Sequence, residues 1–198
     1  MRKSILKSIA QVVLIVFSVV LGLFLSERIE DRKNEKAAAR LLSKIKSELN
    51  DNKKLLDIWV PYHEEMVKSL DSVSNDETFI NHFIEDPTTL YRVFTKGTIM
   101  GETPASDAWD IAKSHPLIVN FGYDELFIIS KVYKQQEASY SPFPKMVEPL
   151  LSPDLNARDK AKSNLLLLKN QLQDIVSRER QLIYYYNKAE DVLKYQNE

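Results

Sequence analysis

The chain has 198 residues, a formal net charge of -1 and a pI near 6.3, with its basic and acidic residues interleaved. Such a balance argues against a nucleic-acid footprint. The absence of cysteine removes disulfide frameworks, thiolate zinc sites and cysteine nucleophiles, and 4 glycines leave little material for tight hairpins or a phosphate-cradling loop. An all-α protein is the expectation.

Residues 1–8 form a basic tail with Arg2, Lys3 and Lys7. From 9 to 25 the chain reads IAQVVLIVFSVVLGLFL, and Ile9, Val12, Val13, Leu14, Ile15, Val16, Phe17, Val19, Val20, Leu21, Leu23, Phe24 and Leu25 supply the apolar surface of a transmembrane helix. Seventeen residues reach about 25 Å, so Ile5 and Leu6 extend the span while Lys7 snorkels. A cleaved signal peptide is disfavoured, because no small-x-small site closes the run. Ser18, Gly22 and Ser26 lie four apart, a small-residue stripe through which two spanning helices approach closely. Arg28, Arg32, Lys33, Lys36, Arg40 and Lys44 follow the span and pull the body toward the cytoplasm, whereas the short basic tail favours sending it out. The balance falls slightly to an outside body.

Residues 26–198 form the helical soluble domain. No Gly or Pro interrupts 26–59, so the anchor helix is expected to run on into it. Leu42, Ile45, Leu49, Asn52, Leu56 and Trp59 follow heptad spacing, with Asn52 at a core position where an amide can set register or partner number, although a partly exposed Asn at the edge of an ordinary bundle is the favoured reading. Pro61 predicts a kink or restart before Met66, Leu70 and Val73. Asn75 or Asp76 caps a short helix ending at Asp86-Pro87, and residues 90–95 read as a further short helix.

Thr103-Pro104 signals a helix start, and His115-Pro116 ends that helix. The apolar run from Leu117 to Phe121 is too short to classify by period. Tyr123, Leu126, Ile129 and Tyr133 mark a helix to about Ala138, followed by a proline-rich loop. Ser152-Pro153-Asp154 then opens a long last helix. In it Leu165, Leu168, Leu172, Ile175, Glu179, Leu182, Tyr186, Ala189 and Leu193 keep heptad spacing, broken only by Glu179. Two long patterned helices with short ones between predict an antiparallel pair roofed by the middle segment, its seams forming an intramolecular core rather than an intermolecular coiled coil.

Chemistry is sparse. His63-Glu64-Glu65 begins like a zinc-binding HExxH helix, but Val67 stands at the second histidine position. His82 shares a helical face with Glu85 and Asp86, a spacing more often found in surface groups than in a metal site or proton relay. His115 at a helix end reads as a cap. Trp109 and Tyr133 read first as core aromatics that lock the middle helices onto the long pair, and with Tyr123, beside the apolar connection 117–121, they are candidates for a ligand pocket under the middle helices.

Two stretches carry a resemblance. VVLIVFSVVLGLFLSERIEDRKNEKAAARLLSKIKSELNDN pairs an apolar span with a charged helix and an L..I..EL..N continuation, and ASDAWDIAKSHPLIVNFGYDELFIISKVYKQQ places Trp109, Ala112, Tyr133 and Gln136 in a second pattern. Together they resemble a bacterial family of single-pass membrane proteins whose domain has no assigned function. The match departs at Glu27-Arg28, where relatives place Asn-Trp, and at His115-Pro116, where a Gly turn is usual. The resemblance implies an N-terminal anchor in the bacterial inner membrane and a helical body, and it implies no activity. The expectation is therefore a non-enzymatic scaffold or regulatory subunit without cofactor or metal. Its partners are the lipid bilayer, a second copy through the spanning or heptad-patterned helices, and an unknown protein, with no nucleic acid. A membrane-anchored sensor is the alternative.

Overall fold

The computed structural model describes the backbone of residues 2–195 and the side chains of 13–194. It contains six α-helices among these residues: α1 (Arg2–Val73), α2 (Glu77–Glu85), α3 (Asp107–Ser114), α4 (Tyr123–Tyr140), α5 (Phe143–Val147) and α6 (Ala161–Tyr195). Three short 3-10 helices, Pro87–Arg92, Pro116–Asn120 and Glu148–Leu151, join them, and no strand occurs among the described residues.

At 1.5 Å per residue the 72 residues of α1 make a rod roughly 110 Å long. Only its distal part lies in the body. Residues 13–33 are exposed throughout, and Ala38 is the first buried position among the described side chains. Ile9 and Val12, with which the expected span begins, lie where side chains are outside the described residues. The described part, Val13–Leu25, covers only about 20 Å. Among the described residues no helix is long and apolar enough to cross a membrane.

From Ala38 onward α1 packs antiparallel against α6. Lys53 pairs with Glu190 at 3.0 Å, Glu64 with Arg180 at 2.6 Å and Asp71 with Lys169 at 2.8 Å, so the partner number falls as the α1 number rises. Every position of the α6 heptad from Leu165 to Leu193 is buried, and Ile45, Leu49, Asn52 and Leu56 are buried opposite them. Each such leucine contributes about 1.5–3 kcal/mol of hydrophobic stabilisation. Helix α4 is a third long member rather than a short cover. Its Ile128, Ile129, Val132 and Tyr133 enter the same core cluster as Leu182, Tyr186 and Ala189. A second cluster, built from Met66, Leu70, Phe83, Leu90, Leu165 and Leu172, lies further along α1.

Several boundaries differ from the sequence reading. Helix α1 passes through Pro61 without a restart. Pro61 and Asp57, whose carbonyl the proline leaves without its helical donor, are both on the exposed side, where water can serve that carbonyl, while Val60, Tyr62 and His63 pack on the buried side. Asp76 does cap α2, accepting from Thr78 N–H at 2.9 Å and Phe79 N–H at 3.2 Å. The expected helix at 90–95 is a 3-10 turn over 87–92, opened by Asp86. The proline-rich loop after α4 instead holds α5 and a 3-10 turn.

The last helix begins at Ala161, not at Pro153. Residues 152–160 are held in turns by Asn164, which donates to the Asp154 carbonyl at 3.1 Å and the Leu155 carbonyl at 2.8 Å, and by Asn156, which donates to the Ile84 carbonyl at 2.8 Å. The start expected at Thr103-Pro104 moves to Asp107, for a reason found on α1.

Candidate functional site

Residues 93–106 contain no long regular element, so their backbone groups need partners from elsewhere. One side of α1 supplies them. Glu48, Asn52, Trp59, Tyr62 and His63 meet residues 108, 105, 101, 98 and 99, so the segment descends along α1 antiparallel to it.

Asn52 is buried and reads both backbone groups of Ala105. Its Oδ1 accepts from Ala105 N–H and its Nδ2 donates to Ala105 O, each at 2.8 Å. Gln136 of α4 donates to the carbonyls of Pro104 and Ala105 at 2.9 and 3.0 Å, and its Oε1 accepts from Tyr186 O–H at 2.7 Å. Residues 104–105 are thereby held out of helical geometry, which delays α3 to Asp107. The Ser106 side chain makes no capping bond, and Glu48 caps from α1 instead, its Oε2 accepting Ala108 N–H at 2.8 Å. The other Glu48 oxygen accepts from Tyr133 O–H at 2.6 Å. Trp109 stacks on Tyr133 with centroids 5.7 Å apart and planes 7° from parallel.

Further along the rod, His63 and Glu179 are both fully buried, with His63 Nδ1 2.8 Å from Glu179 Oε2. His63 Nε2 lies 2.8 Å from the carbonyl of Ile99, an acceptor only, so that nitrogen carries hydrogen and donates. The ring and the carboxylate share the remaining proton. Tyr140 O–H donates to the second Glu179 oxygen at 3.0 Å, and Trp59 stacks over the imidazole at 5.7 Å. Beside it Tyr62 O–H donates to Thr98 O at 2.6 Å. A Cβ on Gly101 would stand 3.0 Å from Trp59 Cζ2, so the close approach of the segment to the indole uses the missing side chain.

Burial drives the Tyr133, Tyr140 and Tyr186 phenols well above the ordinary tyrosine range, assisted by Glu48 at Tyr133, by Glu179 at Tyr140 and by Glu48 at Tyr186. They act as neutral hydrogen-bond donors. Among the described residues only Gln171 Oε1 is a buried side-chain polar atom lacking a partner.

The candidates from sequence fall in different places. Trp109 and Tyr133 line a cavity of about 670 Å³ with Thr103, Ser106, Lys113 and Glu137. Tyr123 does not join them: it is 79% exposed and stacks on Phe127. Asn52 is buried within the chain's own fold. Ser18, Gly22 and Ser26 are exposed on α1, and Ser18 Oγ donates to Leu14 O at 2.8 Å. His82 is exposed, and among the described residues no three His, Asp or Glu side chains converge as a metal site would require. His115 accepts from Leu117 N–H at 3.2 Å, so it caps the following 3-10 turn as well as ending α3.

Glu48, His63 and Tyr140 were not singled out as a network. The available signal was His63 in register with Leu56, Val60, Met66 and Leu70, together with an acid, Glu179, in the opposite seam. A second cavity, about 480 Å³ and mostly apolar, lies between residues 87–100 and 143–155. Comparison with protein-family models, curated proteins and solved structures gives no match for this chain.

Proposed function

We propose that the chain is a single-pass, N-terminally anchored bacterial membrane protein whose body is a non-enzymatic scaffold or regulatory subunit, held outside the cytoplasm. The continuity of α1 carries this reading. One uninterrupted helix leads from the apolar run into the central seam of the body, so the body has a fixed orientation relative to that run. The buried Asn52, His63, Gln136 and Glu179 groups, and the half-buried Glu48, are committed to the chain's own backbone and side chains, an allocation suited to rigidity. The resemblance of the anchor and of the 105–136 stretch to the single-pass family supports the same placement.

The test is membrane fractionation together with a C-terminal reporter pair, one active only outside the cytoplasm and one only within it. Release of the chain by alkaline carbonate removes the anchor, and a cytoplasmic signal reverses the orientation. A hydrolase panel on the purified chain addresses the non-enzymatic part, which turnover abolished by a single substitution would overturn.

The cavity bearing Trp109 and Tyr133 supports a second reading, a membrane-anchored sensor. A compound that raises the melting temperature of the wild-type chain, but not of Trp109→Ala, would establish it.

A further inference from the structure

Helix α1 is divided by charge from the end of the apolar run into its first packed turns. Arg28, Arg32, Lys36, Arg40 and Lys44 recur every four residues, and Lys33 lies beside them. At about 100° per residue, five of these six fall within an arc of roughly 120°. Glu27, Glu30, Asp31 and Glu35 fall in the opposite arc. The buried side of the same helix, Ala38, Ile45, Leu49, Asn52 and Leu56, also lies in that opposite arc, so the basic face points away from the body.

All six cations are exposed, and among the described residues none of them, nor any of the four acids, is in an ion pair. Arg28 instead lies 4.8 Å over the Phe24 ring.

We infer that this basic face of α1, from Arg28 to Lys44, is the docking strip for an acidic helix of a partner protein. It deepens the scaffold reading by assigning the partner's chemistry, and rests on that reading only for where the partner sits. Three observations select this occupant. The ladder runs about 24 Å along the helix axis, the reach of a helix lying alongside and far beyond the roughly 5–8 Å of a headgroup layer. A second copy brought parallel against the same face would set like charge on like charge. The acids are withdrawn to the other side, which matters to a one-sided partner and little to a planar anionic surface around an upright rod.

The test uses the full chain in zwitterionic detergent micelles, so it does not require insertion into a bilayer. The probes are two synthetic Ala/Gln-based helical peptides, one carrying Glu every four residues along one face and the other carrying Lys there. Fluorescence anisotropy should show the Glu peptide binding about tenfold or more tightly than the Lys peptide, with loss of binding as salt is raised. The triple variant Arg32→Glu, Lys36→Glu, Arg40→Glu should reverse the preference, and Lys162→Glu, an exposed change on α6, should leave it intact.

Equal binding of both peptides, or an unmoved preference in the triple variant, overturns the inference. So does the absence of peptide binding alongside ladder-dependent binding to phosphatidylglycerol vesicles, which assigns the face to lipid. Failure of fractionation with peptide binding intact would remove the anchor and leave the strip standing.

Discussion

Replacing Glu179 by Ala tests the buried network directly. The change leaves the fully buried His63 without its carboxylate and removes the acceptor of Tyr140 O–H. Breaking a buried pair by deleting one partner costs about 3–5 kcal/mol, a large share of the roughly 5–15 kcal/mol that holds a domain folded. For a body of this size the melting temperature should fall by roughly 10 °C. The double variant His63→Leu, Glu179→Leu removes both members and keeps apolar volume in the seam. It still orphans Ile99 O and Tyr140 O–H, at about 1–3 kcal/mol for each group left unpaired. It should be less damaged than the sum of its two single changes. Urea unfolding followed at 222 nm, with unchanged m-values, of the wild type, His63→Leu, Glu179→Leu and the double variant gives the four free energies needed for the cycle. A loss below about 1 kcal/mol for Glu179→Ala, or a double variant costing the full sum, would refute the reasoning.

Asn52→Ala strips Ala105 N–H of its acceptor and leaves Ala105 O to Gln136 alone, and should cost about 1–3 kcal/mol, with amide exchange accelerating across 98–108 before the rest of the body. An unchanged exchange pattern there would mean that the segment is held by other contacts. Gly101→Ala forces its new methyl toward Trp59 and should destabilise by about 1–2 kcal/mol while shifting the indole emission. At alkaline pH the phenols supply a sign that can be checked. Their folded pKa values lie above the unfolded value near 10, so their contribution is fully present below pH 10 and declines as pH rises further. Three such groups give a slope of about -4 kcal/mol per pH unit above 10, and the ultraviolet titration should show Tyr133, Tyr140 and Tyr186 ionising only as the body unfolds. Ionisation of all nine tyrosines near pH 10 with the fold intact would contradict the burial described.

The helical class and the antiparallel pairing of α1 with α6 were legible because they depend on period. Leu165, Leu168, Leu172, Ile175, Leu182, Ala189 and Leu193 recur at spacings of three, four and seven, and all are buried. What period cannot carry is a partner far away in sequence. Glu179 reads as a flaw in the α6 heptad until His63, 116 residues earlier, is brought against it. The helix start expected at Thr103-Pro104 failed for the same reason. Thr103-Pro104 is a sound local signal, overridden because Asn52 and Gln136 hold the 104–105 backbone extended, and the cap of α3 comes from Glu48, 60 residues away. Tyr123 shared a helical face with Tyr133 in sequence, yet ten residues of helix set them about 15 Å apart along the axis, so only one of them reaches the cavity beside Trp109.

The stalk is where local energetics and architecture disagree. Residues 26–33 have no tertiary cover, and an isolated helix of that length is marginal in water. The four successive like-charge pairs from this segment into the packed part of α1, Arg28 with Arg32 through to Arg40 with Lys44, each oppose the helix by about 0.2–0.5 kcal/mol. No ion pair among the described residues relieves this ladder. The segment is helical because propagation from the packed seam beyond Ala38 extends an existing helix and needs no new nucleus. A sequence selected only to connect would intersperse its charges at i,i+4, as Lys194 and Glu190 do on α6 at 2.6 Å. Segregating them costs the stalk stability that an acidic helix alongside would restore, so the same arrangement that weakens the free rod would strengthen its complex.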